Sequence, residues 1–234
     1  CSTVSTVVGQ KLPKGATVLE EHNLPRHRKL VLWIPDAVKV PNETDIDFYT
    51  CPTQSRGSFY SGDVRVTLIN TKTGRVLNTL HVKGNGDSMD ARPTPLDPID
   101  LPYAIQSGYY YYVPNGSPKL ERKPQIIDLK DYNGDGKALE FALFDAPACM
   151  GLSTTLIGYS ESKDRVIQYP ITVHAPEGTT SEYWLDYLFS KKPIRPGYWR
   201  YEIDYRGRDG TLDKFTVRYD KSRETFTASV TRKR

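Results

Sequence analysis

Apolar positions along this chain recur mostly every second residue, in short runs broken by Pro, Gly, Asn and Asp, which is the period of pleated strands. Residues 29–34 form an apolar run stopped by Pro35. Residues 64–69 and 76–82 flank Asn70-Thr71-Lys72-Thr73-Gly74, which predicts a hairpin with Gly74 supplying a positive φ. Residues 154–159 and 166–173 flank 161–165 as a second hairpin. Residues 198–205, 215–219 and 225–230, separated by turns at 206–210 and 220–223, predict a meander with one wet face. Helical spacing is confined to residues 181–189, where Ser181 is the N-cap candidate and Pro193 the stop, so one short helix is expected.

The pattern predicts an all-β, mainly antiparallel β-sandwich with a hairpin-rich C-terminal half. Residues 1–18 read as a flexible tether and 19–234 as a β-rich globular domain, with a candidate sub-boundary at the Pro-rich connector near 91–98. Composition agrees: 16 Tyr, 7 Phe and 3 Trp give the apolar material an aromatic and β-branched bias that suits half-buried strands. The net charge of +4 comes from 32 basic and 28 acidic residues, well mixed and without a nucleic-acid-binding module, so no nucleic-acid partner is expected. The basic stretches Arg26-His27-Arg28-Lys29 and Arg232-Lys233-Arg234 could sit near anionic lipid headgroups, but read first as a solvated face and a frayed end. No run approaches the roughly 18 apolar residues that span a bilayer as a helix.

One segment carries recognisable chemistry. In Asp131-Tyr132-Asn133-Gly134-Asp135-Gly136-Lys137, hard oxygen donors alternate and a glycine makes the sharp turn that brings the next carbonyl into range. Asp131, Asn133 and Asp135 would donate side-chain oxygens to Ca2+, and Lys137 its backbone carbonyl. The stretch resembles the D-x-N-x-D-G loops of EF-hands and, more closely, of integrin-like and VCBS-type repeats. It departs from both at the closing ligand, because Ala142 and Leu139 stand where an acid is wanted. Glu140, one residue late, and Asp128, three residues upstream, are the candidates to complete the site. Strand-like flanks argue for a structural ion pinning a turn, and an Asx-rich turn without metal is the alternative. More broadly, residues 131–160 look similar to segments of uncharacterised exported bacterial proteins.

Cys1-Ser2-Thr3, followed by a small, polar stretch, is similar to the mature start of bacterial lipoproteins. That resemblance implies a lipid on Cys1, export, and a membrane-anchored place on the periplasmic or cell-surface side. Cys51 and Cys149 then remain as an even pair, either bridged in an oxidising compartment or present as two separate thiols.

Enzyme signatures are weak. Gly158-Tyr159-Ser160-Glu161-Ser162 lacks a glycine of the nucleophile elbow and lies in an expected hairpin. His22, His27, His81 and His174 are scattered, and carboxylate pairs such as Glu182/Asp186 or Asp45/Asp47 read as solvated faces. Tyr109, Tyr110, Tyr111 and Tyr112 alternate sides in a strand, so two could meet a glycan or a protein partner or simply fill a thin core. The leading expectation is a non-catalytic, lipid-anchored accessory or structural subunit of an envelope or membrane assembly. A surface glycan-binding module is the first alternative, and a hydrolase with a non-obvious site the second.

Overall fold

The computed structural model describes residues 12–40, 59–82, 99–101, 103–106, 109–112, 125–148, 151–181, 185, 188–204 and 210–233. Among these the chain is all-β and mainly antiparallel, of the sandwich class that its pattern predicts. It divides into two compact units interleaved in sequence. Cys1–Asp47, Cys51–Ile127 and Tyr159–Ile167 make the first, and Phe48–Thr50, Asp128–Gly158 and Gln168–Arg234 the second.

The first unit holds β1 (Ala16–Leu24), β2 (Arg28–Pro35), β3 (Val38–Val40), β4 (Phe59–Gly62), β5 (Arg65–Asn70) and β6 (Val76–His81). The order β1-β2-β5-β6 forms an antiparallel sheet in which β2 is an inner strand. Leu30, Val31, Leu32, Trp33 and Ile34 are all buried, so β2 is covered on both faces and its apolar run needs no polar alternation. Trp33 Nε1 donates to Thr67 Oγ1 at 2.8 Å, which satisfies the indole N–H inside the core. The β5–β6 hairpin forms as expected: Asn70 Oδ1 accepts from the amides of Lys72 and Thr73, and Gly74 takes a φ of 69°. Ala16, Thr17 and Val18, expected in the tether, already belong to β1. β7 (Ile99–Leu101) pairs with β4, which also pairs with β3, while β8 (Tyr103–Gln106) pairs with β9 (Tyr109–Tyr112).

The basic segment at 26–29 is not merely a solvated face. Arg28 grips Asp164 through two bonds of 2.8 and 2.6 Å, and Tyr159 Oη donates to the same carboxylate at 2.7 Å. The guanidinium hydrogen bonds hold the Asp164 carboxyl below its ordinary range. The expected hairpin tip at 161–165 is thereby fastened to the β1–β2 turn within the first unit.

The second unit contains most of β10 (Glu140–Ala148) and β11 (Gly151–Ser160), which pair antiparallel. Pro170, which has no N–H to give a ladder, divides the strand expected over 166–173 into β12 (Arg165–Gln168) and β13 (Ile171–Ala175). A five-stranded sheet follows, with β14 (Gly178–Thr180), β15 (Tyr198–Asp204), β16 (Leu212–Asp220) and β17 (Thr225–Lys233) in the order β14-β13-β17-β16-β15. β15, β16 and β17 are the expected meander, and β13 adds to β17 in parallel. Asp213, Phe215 and Val217 on β16 and Phe226, Ala228 and Val230 on β17 are buried, the period-2 face read from the sequence. Arg232 and Lys233 of the basic tail belong to β17 and pair with β16. Arg232 binds Asp213, only 3 % exposed, through bonds of 2.8 and 2.7 Å, and its remaining arm reaches Glu177.

Of the helix expected over 181–189, the described residues include a single 3-10 turn at Leu188–Ser190. Cys1, Cys51, Cys149 and the 92–98 connector lie outside the described residues, as do the side chains of Tyr109, Tyr110, Tyr111 and Tyr112.

Candidate functional site

The 131–137 loop sits between Lys130 and Glu140, which pair across its base through backbone bonds of 2.7 and 3.2 Å. Its polar side chains turn back onto its own amides. Asp131 Oδ1 accepts from Gly134 and Asp135 at 2.7 and 3.1 Å, and its Oδ2 from Gly136 at 3.0 Å. Asn133 Oδ1 accepts from Asp135 at 2.8 Å, and Asp135 Oδ1 from Lys137 at 2.9 Å. Gly136, at the place of the sharp turn, has a φ of 86°. Asp131, Asn133 and Asp135 are thus gathered on one short loop with their oxygens turned onto its own amides.

Tyr132 fixes that loop to the core. Its side chain is buried, with its ring 4.9 Å from Phe189 and 6.4 Å from Trp199. Burial pushes the Tyr132 hydroxyl far above its ordinary value, so it stays neutral. A second attachment is a reciprocal backbone approach. A Cβ on Gly134 would lie 2.8 Å from the Pro196 carbonyl oxygen, and one on Gly197 would lie 2.7 Å from that of Asn133. Gly197 N–H also donates to the Tyr132 carbonyl at 3.1 Å. Two glycines at positive φ therefore let the loop rest on the turn that leads into β15.

Glu140 closes the base from below. The residue is 0 % exposed, yet its carboxylate has four donors. Oε2 accepts the backbone N–H groups of Tyr132 and Asn133 at 3.1 and 3.4 Å, and Oε1 accepts Asn133 Nδ2 at 2.9 Å and Tyr169 Oη at 3.3 Å. Gly158, opposite Glu140 in the ladder, leaves the room this side chain occupies. Burial pushes the carboxyl up to about 8, against the pull of the two amides and with help from the charges of Asp135 and Asp131. Asp128 is turned elsewhere, with its Oδ2 2.6 Å from Lys130 Nζ at an exposed position.

As a cation site, the loop offers two carboxylates, one amide oxygen and the Lys137 carbonyl. Calcium takes six to eight oxygens and accepts neutral donors and water among them, so this set suits calcium better than zinc. Among the described residues, no group of three or more His, Cys, Asp or Glu side chains is placed to hold a metal ion. Calcium here would depend on Asn133, a backbone carbonyl and water beside its two acids.

Sequence reasoning named Glu140 but not its partner Tyr169, nor the Pro196-Gly197 turn. A signal for Glu140 was present: a lone acid inside the apolar run 139–143 is a carboxylate that must find buried donors. The other singled-out groups are dispersed. Ser160 Oγ lies 3.0 Å from Ser162 Oγ and accepts the Lys163 amide, while His22 meets Glu20 and His174 meets Thr179. No protein-family model, curated protein or solved structure matches this chain.

Proposed function

We propose that this chain is a non-catalytic structural or accessory module of the bacterial envelope whose 131–137 loop is stabilised by calcium. The observation that carries this reading is the placement of Asp131, Asn133 and Asp135 together on one short loop whose ends are already fixed by Glu140, Tyr132 and Gly197. An ion added there would neutralise Asp131 and Asp135 and lock the entry to β10 and the turn before β15. It would contribute stability, not chemistry. A lipid on Cys1 would place this module at a membrane, and the intact mass of protein taken from its host's membranes measures that directly.

Thermal unfolding with and without calcium tests the loop. At a calcium concentration a hundred times the dissociation constant, the folded state gains about 2.7 kcal/mol, and a chelator removes it. Asp131→Asn and Asp135→Asn, each of which keeps one side-chain oxygen as an acceptor for the loop amides, should each blunt the calcium response. A melting temperature indifferent to calcium and chelator in the wild-type protein would mean that the loop is an Asx-capped turn that holds no ion.

A further inference from the structure

Residues 190–201 carry Lys191, Lys192, Arg195 and Arg200 and no acidic residue. The fold gathers part of this charge on the wet side of β15. Arg195 precedes the strand in the turn closed by Tyr198 N–H on the Arg195 carbonyl at 2.9 Å, and Arg200 lies two residues beyond Tyr198 on the same face. Arg218 stands directly opposite Tyr198 in the β15–β16 ladder. The three guanidinium carbons lie 5.6, 5.5 and 5.4 Å from the centre of the Tyr198 ring. All three arginines are exposed, and none makes a salt bridge within the described residues. On the same sheet Lys214 meets Glu202 and Arg232 meets Asp213, so uncompensated charge is concentrated at this corner.

Beside the arginines, Ile194 is 65 % exposed, one of two large hydrophobic residues left so open among those described. Its amide is tied to the Tyr198 carbonyl at 3.0 Å, so the isoleucine is held out on an anchored turn. We infer that this corner, Ile194, Arg195, Tyr198, Arg200 and Arg218, docks on the surface of an anionic lipid bilayer. The guanidinium groups bind headgroup phosphates, and Ile194 enters the boundary between headgroups and acyl chains. An acidic polysaccharide suits the corner less well, because guanidinium groups already crowd the Tyr198 ring on which a sugar would stack, and an outstanding isoleucine gains nothing from such a partner.

Cosedimentation tests this with the full chain carrying Cys1→Ser, so that no acyl chain contributes. The probes are vesicles of phosphatidylcholine alone and of phosphatidylcholine mixed with phosphatidylglycerol, at low and high salt. Binding is expected only to the anionic vesicles and should weaken with salt. Each charge near such a surface is worth about 1 kcal/mol, so Arg195→Gln, Arg200→Gln and Arg218→Gln should each cost about fivefold in affinity and together roughly a hundredfold. The triple Lys replacement should retain most binding, and Ile194→Ser should weaken it without changing its salt dependence. Equal binding to both vesicle types, or a folded triple Gln variant that binds like wild type, would overturn the inference. So would full competition by a soluble acidic polysaccharide together with an inert Ile194→Ser.

Discussion

At the scale of one residue, Glu140 is unusual because its partners are amides and a phenol rather than a cation. Four donors stabilise the ionised form, but complete burial opposes it more strongly and sets the carboxyl at about 8. The folded state therefore holds a proton that the unfolded chain has released over the window between the ordinary glutamate range and about pH 8. Where the folded state binds more protons, stability falls as pH rises. In chelator, the wild-type protein should lose stability steadily from about pH 5 to pH 8, by up to about 1.4 kcal/mol per pH unit from this group. Glu140→Gln should flatten that slope while lowering stability at acid pH, because its amide would set N–H against the Asn133 side-chain donor. Denaturant unfolding across the pH range measures both, and equal slopes in the two proteins would show that Glu140 does not titrate in this window.

Between elements, the contact that matters most is the seat of the 131–137 loop on the turn before β15. Gly197→Ala adds a methyl 2.7 Å from the Asn133 carbonyl oxygen at a φ of 73°, so it carries both a clash and a left-handed strain. Gly74→Ala meets nothing within 4 Å at a φ of 69° and carries the strain alone. The second should cost about 1–2 kcal/mol and the first clearly more. Equal losses in chemical denaturation would mean that the loop does not rest tightly on the turn. The comparison marks what sequence can convey. The β5–β6 hairpin, the meander and the buried run of β2 were readable because each is written in neighbouring residues, as period, turn chemistry or an unbroken apolar stretch. Gly197 and Pro196 carry no such mark, since their meaning lies in the backbone of a loop some sixty positions earlier. The roles of Arg28 and Arg232 are hidden for the same reason: the carboxylates that hold them, Asp164 and Asp213, are not their neighbours in the chain.

For the molecule as a whole, the division into two interleaved units carries no local mark in the sequence, because both units are assembled from separated segments. The hairpin tip Tyr159–Ile167 belongs to the first unit although the strands before and after it lead into the second. That arrangement limits how far a calcium ion should be felt. The loop, its seat at Gly197, its base at Glu140 and the aromatic cluster under Tyr132 all fall within the second unit. Amide exchange measured with calcium and with chelator should therefore differ at the start of β10, in the 131–137 loop and along β15 and β16. The inner strands β2 and β5, whose core is Leu30, Leu32, Val66 and Leu68, should exchange alike in both conditions. A loss of protection spread evenly over β2, β5 and the meander would mean that the ion governs global unfolding rather than one unit. No change anywhere in the second unit would withdraw calcium from the loop altogether.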